Sequence, residues 1–114
     1  MQYIALIYSQ EGGGPDDPDV MKRYGALVQE WREAGKMVAG DRLESSTAAT
    51  TVRIRNGETL TTDGPFTETK EQLGGYFILE CESLDEALAY AERIPAAQHG
   101  AVEIRPIAPV PARV

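Results

Sequence analysis

The sequence contains only one cysteine and one histidine among its 114 residues. Cys81 therefore has no partner for a disulfide within the chain, and neither a C-x-x-C pair nor a histidine cluster indicates a zinc site. We expect a reducing compartment and a cytoplasmic protein. Basic residues are also scarce: 11 Lys and Arg stand against 18 Asp and Glu, a formal charge of -7. Because nucleic-acid binding depends on a basic face, this balance predicts no nucleic-acid partner.

Long apolar runs and nucleotide-binding motifs are missing as well. A membrane-spanning helix needs about 18 consecutive apolar residues, and the sequence has no such run. Residues 1–8 lack the basic region and cleavage site of a signal peptide and are predicted to form a strand. No P-loop, dinucleotide fingerprint or nucleophile elbow is present, so we expect no cofactor and no metal. We predict one domain over residues 1–108 and a proline-rich tail over 109–114.

Two segments, residues 3–8 and 75–81, are apolar on both alternating faces, which is typical of central strands. Between them, Asp16, Asp17 and Asp19 around Pro18 favour the start of a helix that runs to about Ala34. Gly35 is a plausible helix stop. The helix is expected to bury one stripe of apolar side chains: Val20, Tyr24, Leu27, Val28 and Trp31.

The remaining segments supply a short strand, a hairpin, a helix and a last strand. Residues 37–40 are the short strand, and 51–55 and 58–62 flank Asn56-Gly57, which fits a type I′ turn. This hairpin is expected to be half-solvated and to lie at an edge. Ser83 and Glu86 form a capping box for the second helix, which ends before Pro95. That helix is predicted to turn five residues inward: Leu84, Ala87, Leu88, Ala91 and Ile94. Residues 101–106 form the last strand.

This order of elements predicts an α+β fold, the ferredoxin-like split βαβ sandwich with an inserted β-hairpin. Its helices cover one face of an antiparallel sheet and leave the other face bare. Because the central strands are apolar on both sides, the bare face is also expected to be buried. A second copy of the chain is the simplest cover, so we predict a homodimer.

The segment from Asp63 to Tyr76 is rich in residues that neither a helix nor a strand requires. Gly64 and Pro65 constrain the backbone, and Gly74-Gly75 lets a strand begin beside a close neighbour. A constrained loop that carries charged side chains is a common place for binding groups. The loop's candidates for substrate binding are Phe66, Glu68 and Lys70, and its candidates for catalysis are Asp63 and Glu71.

The run Asp63-Gly64-Pro65-Phe66 resembles the DGPF-domain branch of the YCII-related family. The resemblance continues through Glu68, Lys70-Glu71 and Gly74-Gly75, through residues 84–87, and through residues 102–106, so it covers nearly the whole chain. It implies a dimeric α+β barrel with a pocket in each subunit. Members of this branch are often encoded beside extracytoplasmic-function sigma factors. Related proteins are thought to be enzymes because of a His and Asp in the pocket, but here the first helix has no histidine and Tyr24 occupies roughly that region.

Each candidate also has a purely structural interpretation. Asp63 can be a turn residue whose carboxylate accepts backbone amides. Lys70 can form a salt bridge with Glu68 or Glu71. Glu103 and Arg105 share one face of the last strand, so they can bind substrate, pair with each other, pair with Lys70 or Glu71, or pair across a dimer. Tyr24 is a substrate-binding candidate but also belongs to the core stripe, His99 is expected in an exposed loop, and Cys81 as an apolar filler.

Three functional hypotheses remain open from the sequence. The first is a homodimer that binds or transforms a small organic molecule, by cofactor-free proton transfer or isomerisation if it is an enzyme. Asp63 or Glu71 would then be the base, and Arg105 or Lys70 would stabilise negative charge. The second is a non-catalytic regulatory module that partners a sigma factor. In the third, the loop serves only to build the dimer.

Overall fold

The computed structural model describes residues 1–10 and 18–109, which form a four-stranded antiparallel sheet, a separate hairpin and two helices. The order in the main sheet is β2-β5-β1-β6, so the two segments predicted as central strands are the two central strands. Short 3-10 turns lie at Ser46–Ala48 and Pro95–Gln98. The strands and helices are β1 Gln2–Gln10, α1 Pro18–Glu33, β2 Met37–Arg42, β3 Thr50–Arg55, β4 Glu58–Asp63, β5 Glu71–Glu80, α2 Leu84–Ala91 and β6 Ala101–Pro106.

The core lies between the helices and one face of the sheet. In the register of β1 and β5, Tyr3 is opposite Leu79 and Ala5 is opposite Phe77, and all four side chains are buried. They pack with Leu27, Trp31 and Ala87 from the two helices. Trp31 is fully buried, with its ring edge-on to Phe77 at 5.6 Å and to Tyr90 at 5.3 Å. The α+β architecture predicted from the element order is therefore confirmed.

The other face of the sheet carries no helix in the described residues. Alternation along the strands places Ile4, Leu6, Tyr8, Tyr76 and Ile78 on it, and all five are half-buried. We call this the open sheet face. Its centre is apolar, as the sequence predicted for the central strands.

Helix α1 follows its predicted stripe, with Leu27 and Trp31 buried and Val20, Tyr24 and Val28 half-buried. It ends where predicted, because Gly35 adopts a φ of 72° that glycine allows without strain. The Gly35 amide donates to Arg32 O at 3.1 Å and the Lys36 amide to Trp31 O at 2.8 Å. The predicted cap by Asp16 and Asp17 lies outside the described residues.

Helix α2 begins at the predicted cap, since Ser83 Oγ accepts the Glu86 amide at 3.2 Å. The Glu86 carboxylate accepts the amide of Glu82 at 3.4 Å rather than that of Ser83. Ala87, Ala91 and Ile94 are buried as predicted, but Leu84 and Leu88 are 48% and 43% exposed, so their predicted inward orientation is wrong. Small alanines bring the helix close to the sheet, and Leu88, about 100° around the helix from Ala87, is left outside the contact.

The hairpin forms with the predicted turn, because Asn56 and Gly57 have φ of 53° and 77° and Arg55 is opposite Glu58. Its placement at an edge is wrong: in the part of the chain that the structure describes, β3 and β4 form a sheet of their own. Val52 and Ile54 share one face and remain 63% and 64% exposed. Neither face is apolar throughout, since Arg53 and Leu60 stand opposite each other on the second face, and the hairpin does not pack as a layer.

Candidate functional site

A cleft of about 470 Å³ lies between helix α1 and the β2 and β5 end of the sheet. We call it the helix cleft. Its wall from α1 is formed by side chains spaced three and four residues apart, which places them on one face of the helix: Met21, Tyr24, Val28 and Arg32. Ile7, Met37 and Phe77 contribute apolar surface from the strands.

The floor of the helix cleft includes two glycines, Gly40 and Gly75, at positions that accept no side chain. A Cβ on Gly40 would lie 2.5 Å from Phe77 Cδ1, and a Cβ on Gly75 would lie 2.9 Å from the carbonyl oxygen of Asp41. Both distances are too short for a real Cβ contact. The Phe77 ring and the backbone of β2 therefore already fill the space that a side chain at these two positions would need.

Tyr24, the candidate from the first helix, lines this cleft and is half-buried. Burial raises the pKa of its phenol, and a hydrogen bond with the backbone of Ala96 and the charge of Arg23 oppose that rise in part. The phenol is therefore neutral at physiological pH. It can contribute a ring face and a hydroxyl to a bound molecule.

A second cleft of about 550 Å³ lies over the loop that follows the hairpin, and we call it the loop cleft. Three of the predicted site residues, Asp63, Glu68 and Lys70, line it together with Thr47 and Gln72. Two hydrogen bonds hold the loop's backbone against the start of β3. The Gly64 amide donates to Ala49 O at 2.7 Å, and Thr51 Oγ1 donates to Gly64 O at 2.8 Å. Gly64 has a φ of 103°, which explains why the sequence needs glycine there.

Within the described residues, the charged side chains of the loop cleft form no ion pairs with one another. The Gly64 amide is taken by Ala49, and the Asp63 carboxylate accepts no hydrogen bond from the described residues, so the turn alternative for Asp63 is not the arrangement observed. Lys70 forms no ion pair within the same set of residues, so its predicted salt bridge to Glu68 or Glu71 is not observed. All three side chains are exposed.

The two clefts adjoin, because Gln10 lines both. Ser45 borders the helix cleft and the next residue, Ser46, borders the loop cleft. Strand β5 also begins earlier than predicted, at Glu71 rather than Gly75, and its first residues pair with Ser9 and Gln10. The apolar cleft and the charged cleft are therefore neighbours at the end of β1.

Four of the predicted site residues line neither cleft: Phe66, Glu71, Glu103 and Arg105. Phe66 is 72% exposed, with the Arg53 guanidinium 5.2 Å above its ring. Arg105 Nε donates to Glu103 Oε2 at 3.0 Å, so these two residues pair with each other. Their register partners are Ile4 and Leu6, which places them on the open sheet face, away from both clefts. His99 is exposed and lines neither cleft, and Cys81 is buried, which raises the pKa of its thiol.

The sequence reasoning missed Asp41, Arg42 and Tyr76, which border the helix cleft. Tyr76 Oη donates to Asp41 Oδ2 at 2.7 Å, and this hydrogen bond, with a contribution from burial, raises the pKa of the Tyr76 phenol. The prediction ended β2 at Gly40, whereas the strand continues to Arg42. A longer β2 in the prediction would have placed Asp41 and Arg42 on opposite faces beside the Gly75 end of β5.

None of the helices in the described residues is long and apolar enough to span a membrane. Among residues 1–10 and 18–109, no group of three or more His, Cys, Asp or Glu side chains is placed to hold a metal ion.

The strand order and the two helices on one sheet face define a ferredoxin-like α+β protein. The sequence profile of the YCII-related domain matches residues 1–111, and the chain belongs to that family. An uncharacterised protein of Rhizobium meliloti (strain 1021) is 42% identical over 115 aligned positions, which cover 95% of this chain and 93% of that protein. The solved structure of 5-chloro-2-hydroxyhydroquinone dehydrochlorinase (TftG) from Burkholderia phenoliruptrix AC1100, in complex with 2,5-dihydroxybenzoquinone, superposes with a TM-score of 0.54 and 17% identity. That match covers 95% of this chain and 94% of the TftG chain, and it shows a shared fold.

Proposed function

We propose that the protein binds a small organic molecule whose apolar part lies in the helix cleft and whose reacting carbon faces the loop cleft, and that it transfers a proton at that carbon without a resident cofactor. The observation that carries this proposal is that an apolar cleft adjoins a cleft lined by Asp63 and by Lys70, which forms no ion pair with any described residue. An apolar body with a few convergent polar groups is the usual form of a small-molecule site.

In this proposal Asp63 is the general base and Lys70 stabilises the negative charge that develops as the proton leaves carbon. Asp63 is preferred to Glu71 because it lines the loop cleft, whereas Glu71 does not. Lys70 is preferred to Arg105 because Arg105 lies on the open sheet face and is paired with Glu103. The proton moves from a substrate C–H to the Asp63 carboxylate and is then returned to the substrate or exchanged with water.

The comparison with TftG supports a ligand of about one ring in size. TftG is a dehydrochlorinase whose solved structure holds 2,5-dihydroxybenzoquinone. The helix cleft, at about 470 Å³, has room for a molecule of that kind, and Tyr24 and Phe77 present aromatic surface to it.

The experiment has two stages, because no substrate is known. A thermal-shift screen against a metabolite library identifies compounds that stabilise the folded protein. Each hit is then incubated with the protein in D₂O, and exchange of its C–H protons is followed by NMR. We expect exchange with the unaltered protein and with Glu58→Gln, a control in the exposed hairpin turn, and loss of at least tenfold in exchange rate with Asp63→Asn.

Two results would contradict the proposal. Equal exchange rates for the unaltered protein and Asp63→Asn would remove Asp63 as the base. No stabilisation by any compound, together with co-purification with a sigma factor, would support the regulatory alternative, which stays a prediction that none of these observations favours.

We further propose that the protein is a homodimer, with the open sheet face covered by a second copy. The apolar centre of that face and the exposed Val52 and Ile54 of the hairpin support this assembly. An isolated two-stranded hairpin is at best marginally stable in water, so packing against a partner would stabilise it. We expect Leu6→Glu to yield monomers in analytical ultracentrifugation. Val38→Glu, an equal change at a 54% exposed position of an edge strand, should remain dimeric.

Circular dichroism of both variants separates loss of the dimer from loss of the fold. A folded Leu6→Glu variant that sediments like the unaltered protein would refute the assembly through this face.

A further inference from the structure

Three cations outside both clefts are paired with a carboxylate: Lys36, Arg93 and Arg105, at 2.8, 2.7 and 3.0 Å. Arg32 and Arg42 in the helix cleft form no ion pair with any described residue. Other exposed cations outside the clefts, such as Arg55, form no ion pair with a described residue either, so the distinguishing feature of Arg32 and Arg42 is their place in the cleft, where their charges can meet a bound group.

Arg42 is the cation that lies where the two clefts meet. It ends β2 and is opposite Gly75 in the register, and it borders the helix cleft together with Gln10 and Ser45. The Leu43 amide donates to Gly74 O at 2.9 Å, which fixes the backbone directly after it. Arg32, in contrast, is in the last turn of α1, at the end of the cleft nearest the start of β2.

Acidic residues flank Arg42 in the sequence, but strand geometry separates it from the nearer one. Gly75 is opposite both Ile7 and Arg42, and Ile7 is buried on the helix side, so Arg42 also points to the helix side. Asp41 points to the opposite side, where its carboxylate accepts the Tyr76 hydroxyl. Within the described residues Arg42 forms no ion pair with a carboxylate, including that of Glu44, which borders the same cleft.

We propose that Arg42 binds the carboxylate of a substrate whose apolar body lies over Gly40, Gly75 and Phe77. The substrate class is then a small organic acid of about one ring in size. A planar guanidinium presents two parallel N–H donors to a carboxylate, a match that neutral donors do not offer. The formal charge of -7 makes the molecule as a whole unfavourable to anions, whereas Arg42, an exposed side chain at the border of the helix cleft, supplies a local positive charge there.

This inference rests on the proposed function in one respect, the location of the ligand in the helix cleft. It adds the chemical class of the ligand and its orientation. The acidic end of the molecule would be the end nearest the loop cleft, and its apolar end would lie deeper under α1.

The test uses two probes that share a ring but differ in charge, benzoate and benzamide. Binding to the full chain is measured by NMR titration of backbone amides. We expect benzoate to bind more tightly than benzamide and to shift the amides of Gly40, Gly74 and Gly75. Arg42→Gln should weaken benzoate roughly tenfold, which corresponds to about 1.4 kcal/mol, and leave benzamide unchanged. Arg42→Lys should recover only part of the loss, because an ammonium cannot provide the paired donors.

Arg55→Gln is the matched control, since Arg55 lies beside the hairpin turn, lines neither cleft and donates to its neighbour's carbonyl, Ile54 O. Equal affinity for the two probes, no binding of either, or unchanged benzoate affinity in Arg42→Gln would each overturn the inference. The proton-exchange assay distinguishes its failure from that of the proposed function. If proton exchange depends on Asp63 but occurs only in uncharged compounds, the role of Arg42 is refuted and the proposed function stands. If benzoate binding depends on Arg42 but no compound shows Asp63-dependent exchange, the role of Arg42 is supported and the catalytic step is refuted.

Discussion

Gly74 and Gly75 are neighbours in β5, but the structure predicts opposite responses to the same substitution, glycine to alanine. At Gly75 the new Cβ would lie 2.9 Å from Asp41 O and 3.5 Å from Arg42 Cα, both backbone atoms of β2. Backbone cannot rotate away as a side chain can, so β2 must move. Overpacking of this kind costs about 1–3 kcal/mol.

At Gly74 the same methyl group finds room. Its nearest neighbours would be Ile7 O and Ser9 Oγ, both at 3.9 Å, which is ordinary van der Waals contact. Gly74 is the bulge residue of β5, since Ile7 is opposite Gly75 and Tyr8 is opposite Leu73. Alanine restricts the unfolded chain more than glycine does, so Gly74→Ala should stabilise the protein by about 0.4–1 kcal/mol.

The two variants should therefore differ by about 1.4–4 kcal/mol in free energy of unfolding. For a domain of this size, that difference corresponds to about 6–16 °C in Tm at roughly 4 °C per kcal/mol. The chain has one tryptophan, and Trp31 is fully buried, so urea unfolding followed by its fluorescence reports the core directly. Equal stability of Gly74→Ala and Gly75→Ala would refute the bulge and the register that places Gly75 against β2.

Three further predictions concern stability and ionisation. Glu86→Gln should reduce the free energy of unfolding at pH 7, because Lys36 Nζ donates to Glu86 Oε1 at 2.8 Å and this contact lowers the pKa of Glu86. A carboxyl group with a lowered pKa stabilises the fold above its unfolded-state pKa, and this stabilisation is lost as the pH falls through its folded-state pKa. In urea titrations, the difference in stability between Glu86→Gln and the unaltered protein should therefore vanish at strongly acidic pH. A difference that persists there would argue against the ion pair. Trp31→Ala should lower the free energy of unfolding, followed by circular dichroism, by about 3–5 kcal/mol. Trp31→Phe should lower it clearly less, because phenylalanine keeps an aromatic ring and removes only an Nε1 that has no hydrogen-bond partner in the described residues. Equal losses for the two variants would contradict this. Asp41→Asn should lower the pKa of the Tyr76 phenol towards its ordinary value, which ultraviolet difference titration measures against Tyr76→Phe, and an unchanged titration would exclude the hydrogen bond to Asp41.

Sequence reasoning succeeded where the deciding interactions lie within a few residues. The stop at Gly35 requires a positive φ, the hairpin turn requires Asn56-Gly57, and the start of α2 requires the Ser83 hydroxyl. Each of these is a local backbone requirement that particular residue types meet. The central strands were also identified correctly, because being apolar on both faces is itself visible in the sequence.

The errors arose where the outcome depends on how closely two elements approach. Leu84 and Leu88 fit an inward stripe, but the alanines of α2 set the distance to the sheet and leave both leucines exposed. The hairpin strands were found, but their packing against the main sheet was not determined by their own pattern. Strand β2 was ended at Gly40 because Asp41 and Arg42 are polar, although their strand conformation is set by pairing with Tyr76 and Gly75.

The candidate site divides in the same way. Asp63, Glu68 and Lys70 were selected from one contiguous loop, and they do line one cleft. Arg42, Tyr76 and the glycine floor come from segments more than thirty residues apart in the sequence, so no spacing rule connects them. Ion pairing also depends on distance in space rather than in the sequence. Arg105 pairs with Glu103, two residues away, whereas Arg93, just after α2, pairs with Glu30 of α1.

By itself, the sequence determined the order of elements, their turns and caps, the α+β class and the family resemblance, because these follow from local backbone chemistry and alternation of apolar residues. Only the tertiary structure decided that Gly40 and Gly75 border one cleft with α1, and that Arg42 borders it without an ion pair to any described carboxylate. The scarcity of cysteine, histidine and basic residues narrowed the classes of function. The position of Arg42 beside this cleft, without an ion pair among the described residues, is a consequence of packing, because packing brings residues that are distant in the sequence together and decides which charges lie close enough to pair.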